Sequence, residues 1–100
     1  MQNFMEIEGF IKFDIKFSTS PSGVIHSVFF VEHHSIRQEN SLNRKAYCLI
    51  NVVASGKDIN QKVKNLVEGV KVKVCGFLTN KSLVNGSSRL VLHAENIEII

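Results

Sequence analysis

The sequence predicts an all-β domain, a small five-stranded barrel, and three observations carry that prediction. Five stretches rich in β-branched and aromatic residues repeat with a period of two, clusters of Gly, Pro, Asn and Ser separate them, and one segment after the third stretch switches to helical spacing. A chain of 100 residues, 44% hydrophobic with a single Pro, holds material for one packed core and is too apolar to stay disordered. The expected organisation is therefore one domain over residues 1–100, with no linker, repeat or low-complexity tract.

The first strand is the most regular. Met5, Ile7, Gly9, Ile11, Phe13, Ile15 and Phe17 alternate with Glu6, Glu8, Lys12, Asp14 and Lys16, so the first set is expected to face the core. Gly9 in its interior predicts a sharp bend that lets one strand serve two sheets. Ser18-Thr19-Ser20-Pro21-Ser22-Gly23 then supplies a fixed φ at Pro and a positive one at Gly, the chemistry of a turn.

A second strand spans Val24 to Ile36. His26, Val28, Phe30, Glu32 and His34 share one face, Ile25, Ser27, Phe29, Val31 and His33 the other, and neither is distinctly the apolar one. Arg37-Gln38-Glu39-Asn40-Ser41-Leu42-Asn43 is polar and reads as an exposed, mobile connection. In the third strand Ala46, Cys48, Ile50, Val52 and Ala54 form an inner face, which sends Lys45, Tyr47, Leu49 and Asn51 outward. Tyr47, the one tyrosine, is thus expected in solvent beside a lysine.

Ile59, Val63, Leu66 and Val67 fall on one helical stripe, which predicts a short helix over 59–67, or an ordered loop of that length. Val70, Val72 and Val74 alternate with Lys71 and Lys73 in a fourth strand that ends at Gly76-Phe77-Leu78. Thr79 to Ser88 contains Asn85-Gly86, a hairpin signature, and Arg89 to Ile100 makes the fifth strand. Five strands with a short helix candidate between the third and fourth is the element order of an OB-fold, a five-stranded Greek-key barrel, although another small barrel or sandwich shares that order.

Several functions are disfavoured by what the chain carries. No apolar run reaches the ~18–20 residues of a membrane span, and Glu6 and Glu8 spoil the amino end as a signal or transit peptide, so a soluble cytoplasmic protein without membrane contact is expected. Cys48 and Cys75 lack the spacing of a metal or redox motif and read as buried small hydrophobes. His33 and His34 are strand neighbours whose side chains diverge, so they cannot converge on one metal ion. His93 reads as a structural histidine, and no nucleophile, nucleotide or phosphate-loop motif occurs. No enzyme, metal or cofactor is expected.

Charge points elsewhere. Residues 1–32 hold two lysines against four acids, whereas 33–100 hold ten Lys or Arg against five acids, a basic body suited to a polyanion. Single-stranded nucleic acid is held by cations along its backbone and rings under its bases. Tyr47 is the candidate ring; Arg44, Lys45, Arg37 and His34 are the candidate cations near it, with Lys81 and Arg89 flanking the last hairpin. The same residues also suit a subunit contact with ordinary solvating charges. Lys57, Lys62, Lys64, Lys71 and Lys73 read as solvated surface.

Over nearly its whole length, without gaps, the chain resembles the primosomal replication protein N (PriB) family, OB-fold relatives of the single-stranded-DNA-binding protein SSB. The resemblance rests on Ser20-Pro21-Ser22-Gly23 with His26, Phe29 with Glu32-His33 and Ser35, Arg44 and Ala46 before Cys48, and Ser55-Gly56. It continues through Gly69, Val74, Gly76-Phe77, Asn85-Gly86, Val91-Leu92-His93-Ala94-Glu95 and Ile97-Glu98. It implies a homodimer that binds single-stranded DNA at stalled replication forks, stabilises the PriA helicase there and recruits DnaT, with SSB as a further candidate partner. Phe4 and Phe10 on the first strand are the expected subunit contacts.

By the same resemblance Tyr47 stands where the family has a stacking Trp, and Arg89 where it has a basic DNA contact. Other positions depart: His34 replaces an Arg, Ser18 a Lys and Leu42 a Phe, while Ser82 and Val84 replace loop lysines, with Lys81 in partial compensation. Each lost phosphate contact lowers affinity, so weaker DNA binding than in lysine-rich relatives is expected. A second reading follows, a protein-interaction adaptor on the same barrel with incidental DNA contact.

Overall fold

Five strands and one helix run in the expected order: β1 (Met5–Thr19), β2 (Ile25–Glu39), β3 (Leu42–Ser55), α1 (Lys57–Val63), β4 (Lys71–Ser82) and β5 (Ser88–Ile99). The computed structural model describes residues 1–100. The strands close a barrel in the order β1-β2-β3-β5-β4, antiparallel throughout except for the parallel pair β3 and β5. Its interior is filled by Ile7, Ile11, Phe29, Val31, Ile50, Val52, Ala54, Val72, Val74, Leu92 and Ile97, with Val63 and Leu66 added from the helix segment.

β1 serves two neighbours, as Gly9 predicts. Met5–Phe10 pair with β4 and Phe10–Thr19 with β2, so the handover falls beside the glycine. A Cβ at Gly9 would run into the Glu32 carbonyl oxygen and lie 2.8 Å from Val31 Cγ1, so only glycine lets β2 cross this closely.

The inward face expected of β1 breaks at Phe13 and Phe17, while Ile15 between them still packs against the core. Lys12 pairs with Phe30 but Lys16 with Val28, so β1 carries two extra residues in a bulge. Phe13 within it sits at φ 66 and is 50% exposed, turned from the core to the outer face. Phe17 returns to the inward phase opposite buried Ser27, yet it lies exposed at the barrel's open end beside Lys57 and Asn60.

In β2 the undecided face resolves: Ser27, Phe29 and Val31 are fully buried, and Phe30, Glu32 and His34 look outward. The expected mobile connection over 37–43 is instead a paired hairpin. β2 and β3 stay in register from His26↔Ser55 to Glu39↔Leu42, and Asn40 and Ser41 turn at φ 51 and 62. Two positive φ values make the turn whose twist matches the strands.

β3 buries Ile50, Val52 and Ala54 and exposes Lys45, Tyr47 and Leu49, as its alternation requires. Asn51 departs from expectation at 7% exposure, because it lies mid-face between Phe30 of β2 and Val91 of β5. The two free cysteines differ from expectation only in being partly rather than fully buried. Cys48 packs on the core's edge, and Cys75 sits on the outward side of β4 with Lys73.

α1 is shorter than the 59–67 stripe. Val63 and Leu66 are buried, but Val67 lies beyond the helix and is 64% exposed. Asn60 anchors the helix across the barrel end: its amide nitrogen lies 3.1 Å from the carbonyl oxygens of Ile25 and Ala54 and 2.7 Å from that of Gly56. β4 also runs past Leu78, where the sequence ends it, so the last turn is confined to Leu83–Ser87 and Lys81 faces Arg89.

Candidate nucleic-acid interface

The outer face of β2 and β3 places Tyr47 opposite His34 in register. Their ring centroids lie 4.8 Å apart with planes tilted by 55°, and the tyrosine ring is 57% exposed. The alternation of β3 accounts for the exposure of Tyr47, because burying Ile50 and Val52 sends Lys45, Tyr47 and Leu49 to the outer side. Lys45, opposite Ile36, and Leu49, opposite Glu32, extend the same face.

Glu32 is the electrostatic centre of this face. The Tyr47 hydroxyl donates to its Oε2 at 3.2 Å, His34 Nε2 lies 3.4 Å from Oε1, and Lys12 Nζ approaches to 3.9 Å. The phenol is held above its ordinary pKa of 10.0, through partial loss of hydration first and then the charge and hydrogen bond of Glu32. A neutral ring with its hydroxyl tied down is preorganised for stacking. The shared face of Glu32 and His34 is legible in the alternation of β2, but the approach of Tyr47 and Lys12 to Glu32 depends on pairing with β3 and β1.

Parallel pairing brings the last hairpin to this face. Asn51 of β3 pairs with Val91 of β5, and Arg89, two residues before Val91, shares its outward phase. Lys81 lies directly opposite Arg89, so both carry the outward phase of Tyr47, His34 and Lys45, on strands that pair over Asn51–Val53 and Val91–His93.

Arg37 and Arg44 do not join them. They face each other in register but in the opposite phase, on the reverse side of the β2–β3 arm. Arg44 Nε is paired with Glu39 Oε1 at 3.3 Å, and Arg37 borders a cleft with Glu6, Glu8 and His33. His33 hydrogen-bonds across this cleft to the Glu8 carbonyl through Nδ1 at 2.7 Å and to Ser35 Oγ through Nε2 at 2.8 Å. The two adjacent histidines thus work on opposite faces. His93 stacks on Phe77 with centroids 5.0 Å apart and hydrogen-bonds Thr79 Oγ1 at 2.9 Å.

The chain is similar in sequence to known proteins. The chain is 47% identical over 100 residues to the replication restart protein PriB of Photobacterium profundum, covering 100% of this chain and 96% of that one. The chain belongs to the PriB family. PriB of Shewanella pealeana is 48% identical over 80 residues, which span 80% of this chain and 79% of that protein. A family model described as another single-strand binding protein family matches residues 3–96. Among solved structures, PriB of Ralstonia solanacearum superposes with a TM-score of 0.80 at 16% identity, over 99% of this chain and 98% of that one. A deletion mutant of the single-stranded DNA binding protein of Thermus aquaticus gives 0.84 at 16% identity, over 99% of this chain and 50% of that one. The PriB family's barrel and that of the single-stranded DNA binding protein are therefore the fold found here, the OB-fold expected from the element order. No helix is long and apolar enough to cross a membrane.

Proposed function

We propose that this chain is a cytoplasmic accessory protein of replication restart that binds single-stranded DNA across the outer face of β2 and β3. The observation that carries the reading is the Tyr47 ring, 57% exposed and tied by its hydroxyl, on a face that also bears Lys45, Lys81 and Arg89. A base stacks on the ring while the cations line the phosphates. Membership of the PriB family supports the biological setting: stabilising the PriA helicase on DNA, recruiting DnaT and working alongside SSB.

A homodimer belongs to this reading. Met5–Gly9 pair with β4 alone, which leaves their second edge without a strand partner, and Phe4 and Phe10 stand exposed beside it. An open strand edge with exposed aromatics is a surface that a second copy covers by pairing β1 with β1 across a two-fold axis.

Glu32 favours a second reading. A carboxylate within the cluster repels phosphate, and Arg44 is already neutralised by Glu39, which suits a protein-docking adaptor with incidental DNA contact. Anisotropy titration of labelled oligothymidine against wild type and Tyr47→Ala, at several salt concentrations with a duplex control, separates the two. Salt-sensitive binding that prefers the single strand and weakens on losing Tyr47 is the expected result. No binding at low salt overturns the DNA reading and leaves the adaptor.

A further inference from the structure

Phe13 lies in the bulge where β1 passes from β4 to β2, and there it takes a costly conformation without burying its ring. Its backbone is held at φ 66, a left-handed geometry that bulky side chains rarely adopt. The usual return for such strain would be burial, yet the ring is turned out of the core and left half exposed. Strain kept in order to expose an apolar ring points to a task at the surface.

The surroundings of the ring define that task. Phe13 meets Phe30 with centroids 5.9 Å apart and planes at 84°, an edge-to-face pair that leaves half of the Phe13 surface exposed. Lys12 Nζ lies 5.9 Å from the Phe13 centroid, and Lys16 follows at the far side of the bulge. Aromatic faces and flanking cations are what a nucleobase and its phosphate require.

We infer that Phe13, propped by Phe30 and flanked by Lys12 and Lys16, is a second base-stacking platform for the strand that Tyr47 engages. The inference rests on the single-strand reading above and extends it to β1. His34, beside Tyr47, and Phe30, beside Phe13, are four residues apart on β2, about 13 Å at the rise of a strand. That span lies well within the ~4–16 nucleotides that one OB barrel covers.

Glu32 lies between the two platforms on the same face. Its negative charge keeps phosphates off the sheet there, so the strand crosses with its bases toward the protein and its backbone toward the rims. Lys12 and Lys16 lie on β1, to one side of β2, and Lys45 on β3 and Arg89 on β5 lie to the other. A carboxylate that counts against DNA binding beside a single ring becomes a spacer between two.

The test is anisotropy with labelled oligothymidines of increasing length against the full chain and its Phe13→Ala, Phe13→Gly, Phe13→Tyr and Tyr47→Ala variants. The shortest strands should bind wild type and all Phe13 variants alike. Longer strands should bind Phe13→Ala and Phe13→Gly at least about fivefold more weakly, and Phe13→Tyr as wild type. Because glycine accepts the positive φ, Phe13→Gly should melt above Phe13→Ala while losing the same affinity. Equal melting loss in both variants with unchanged binding at every length would mean a packing role and overturn the platform. So would a loss of affinity that merely tracks a change in oligomeric state. Wild-type failure to bind any strand removes the single-strand reading itself, and the platform with it. Loss with Tyr47→Ala but not with the Phe13 variants removes the platform alone.

Discussion

Tyr47 and Glu32 are joined across the β2–β3 ladder by a 3.2 Å hydrogen bond in which the phenol donates to the carboxylate. The bond holds the orientation of the ring on which the proposed function depends and, behind loss of hydration and the Glu32 charge, helps keep its hydroxyl protonated. It also ties the stacking group to the one acid of its immediate cluster, so affinity and ring alignment are opposed in a single side chain.

Replacing Glu32 with Gln keeps an acceptor for the hydroxyl and removes the charge. Oligothymidine should bind severalfold more tightly at low ionic strength, with the gain fading as salt screens it. Titration of Glu32→Gln alongside wild type checks this, and weaker binding by the variant would show that the carboxylate aids the contact.

The phenol supplies a pH test. Its folded-state pKa is raised, by hydration loss first and by Glu32 second, so the neutral ring is favoured by folding. This contribution is fully present below the ordinary value of 10.0 and is lost as pH rises through the folded-state value. With one Tyr and no Trp, ultraviolet titration reports this group alone. Its midpoint should lie above 10.0 and move down, without returning fully, in Glu32→Gln.

Stacking needs the ring and not its hydroxyl. Tyr47→Phe should bind within about twofold of wild type, whereas Tyr47→Ala should lose at least about fivefold. The same lone tyrosine should show quenched emission when oligothymidine binds, a signal specific to this position.

The two sides of the β2–β3 arm should differ in salt dependence. Arg89→Ala removes a cation from the Tyr47 face and should flatten the slope of log affinity against log salt by about 0.7. Arg44→Ala, on the reverse side and paired with Glu39, should leave that slope unchanged.

Two backbone positions predict stability changes of opposite sign. Gly9→Ala forces a Cβ against the Glu32 carbonyl and should cost about 1–3 kcal/mol in urea denaturation. Ser41→Gly relieves the φ of 62 in the hairpin turn and should add about 1 kcal/mol.

Alternation by itself determined much of this protein. Burying Ile50, Val52 and Ala54 forces Tyr47 and Lys45 into solvent, and an isolated Gly9 marks the strand that two neighbours share. These are local consequences of a two-residue period and a missing side chain, so they need no knowledge of partners. The tertiary structure decided what depends on pairing. The bulge that turns Phe13 outward arises where β1 must fit β2 after leaving β4, and nothing within β1 signals two extra residues. Arg37 and Arg44 look close to Tyr47 in sequence, but continuous β2–β3 register sets them on the opposite side. Glu32 gathers Tyr47, His34 and Lys12 because the register of β2 against β1 and β3 sets which outward side chains meet across the strands.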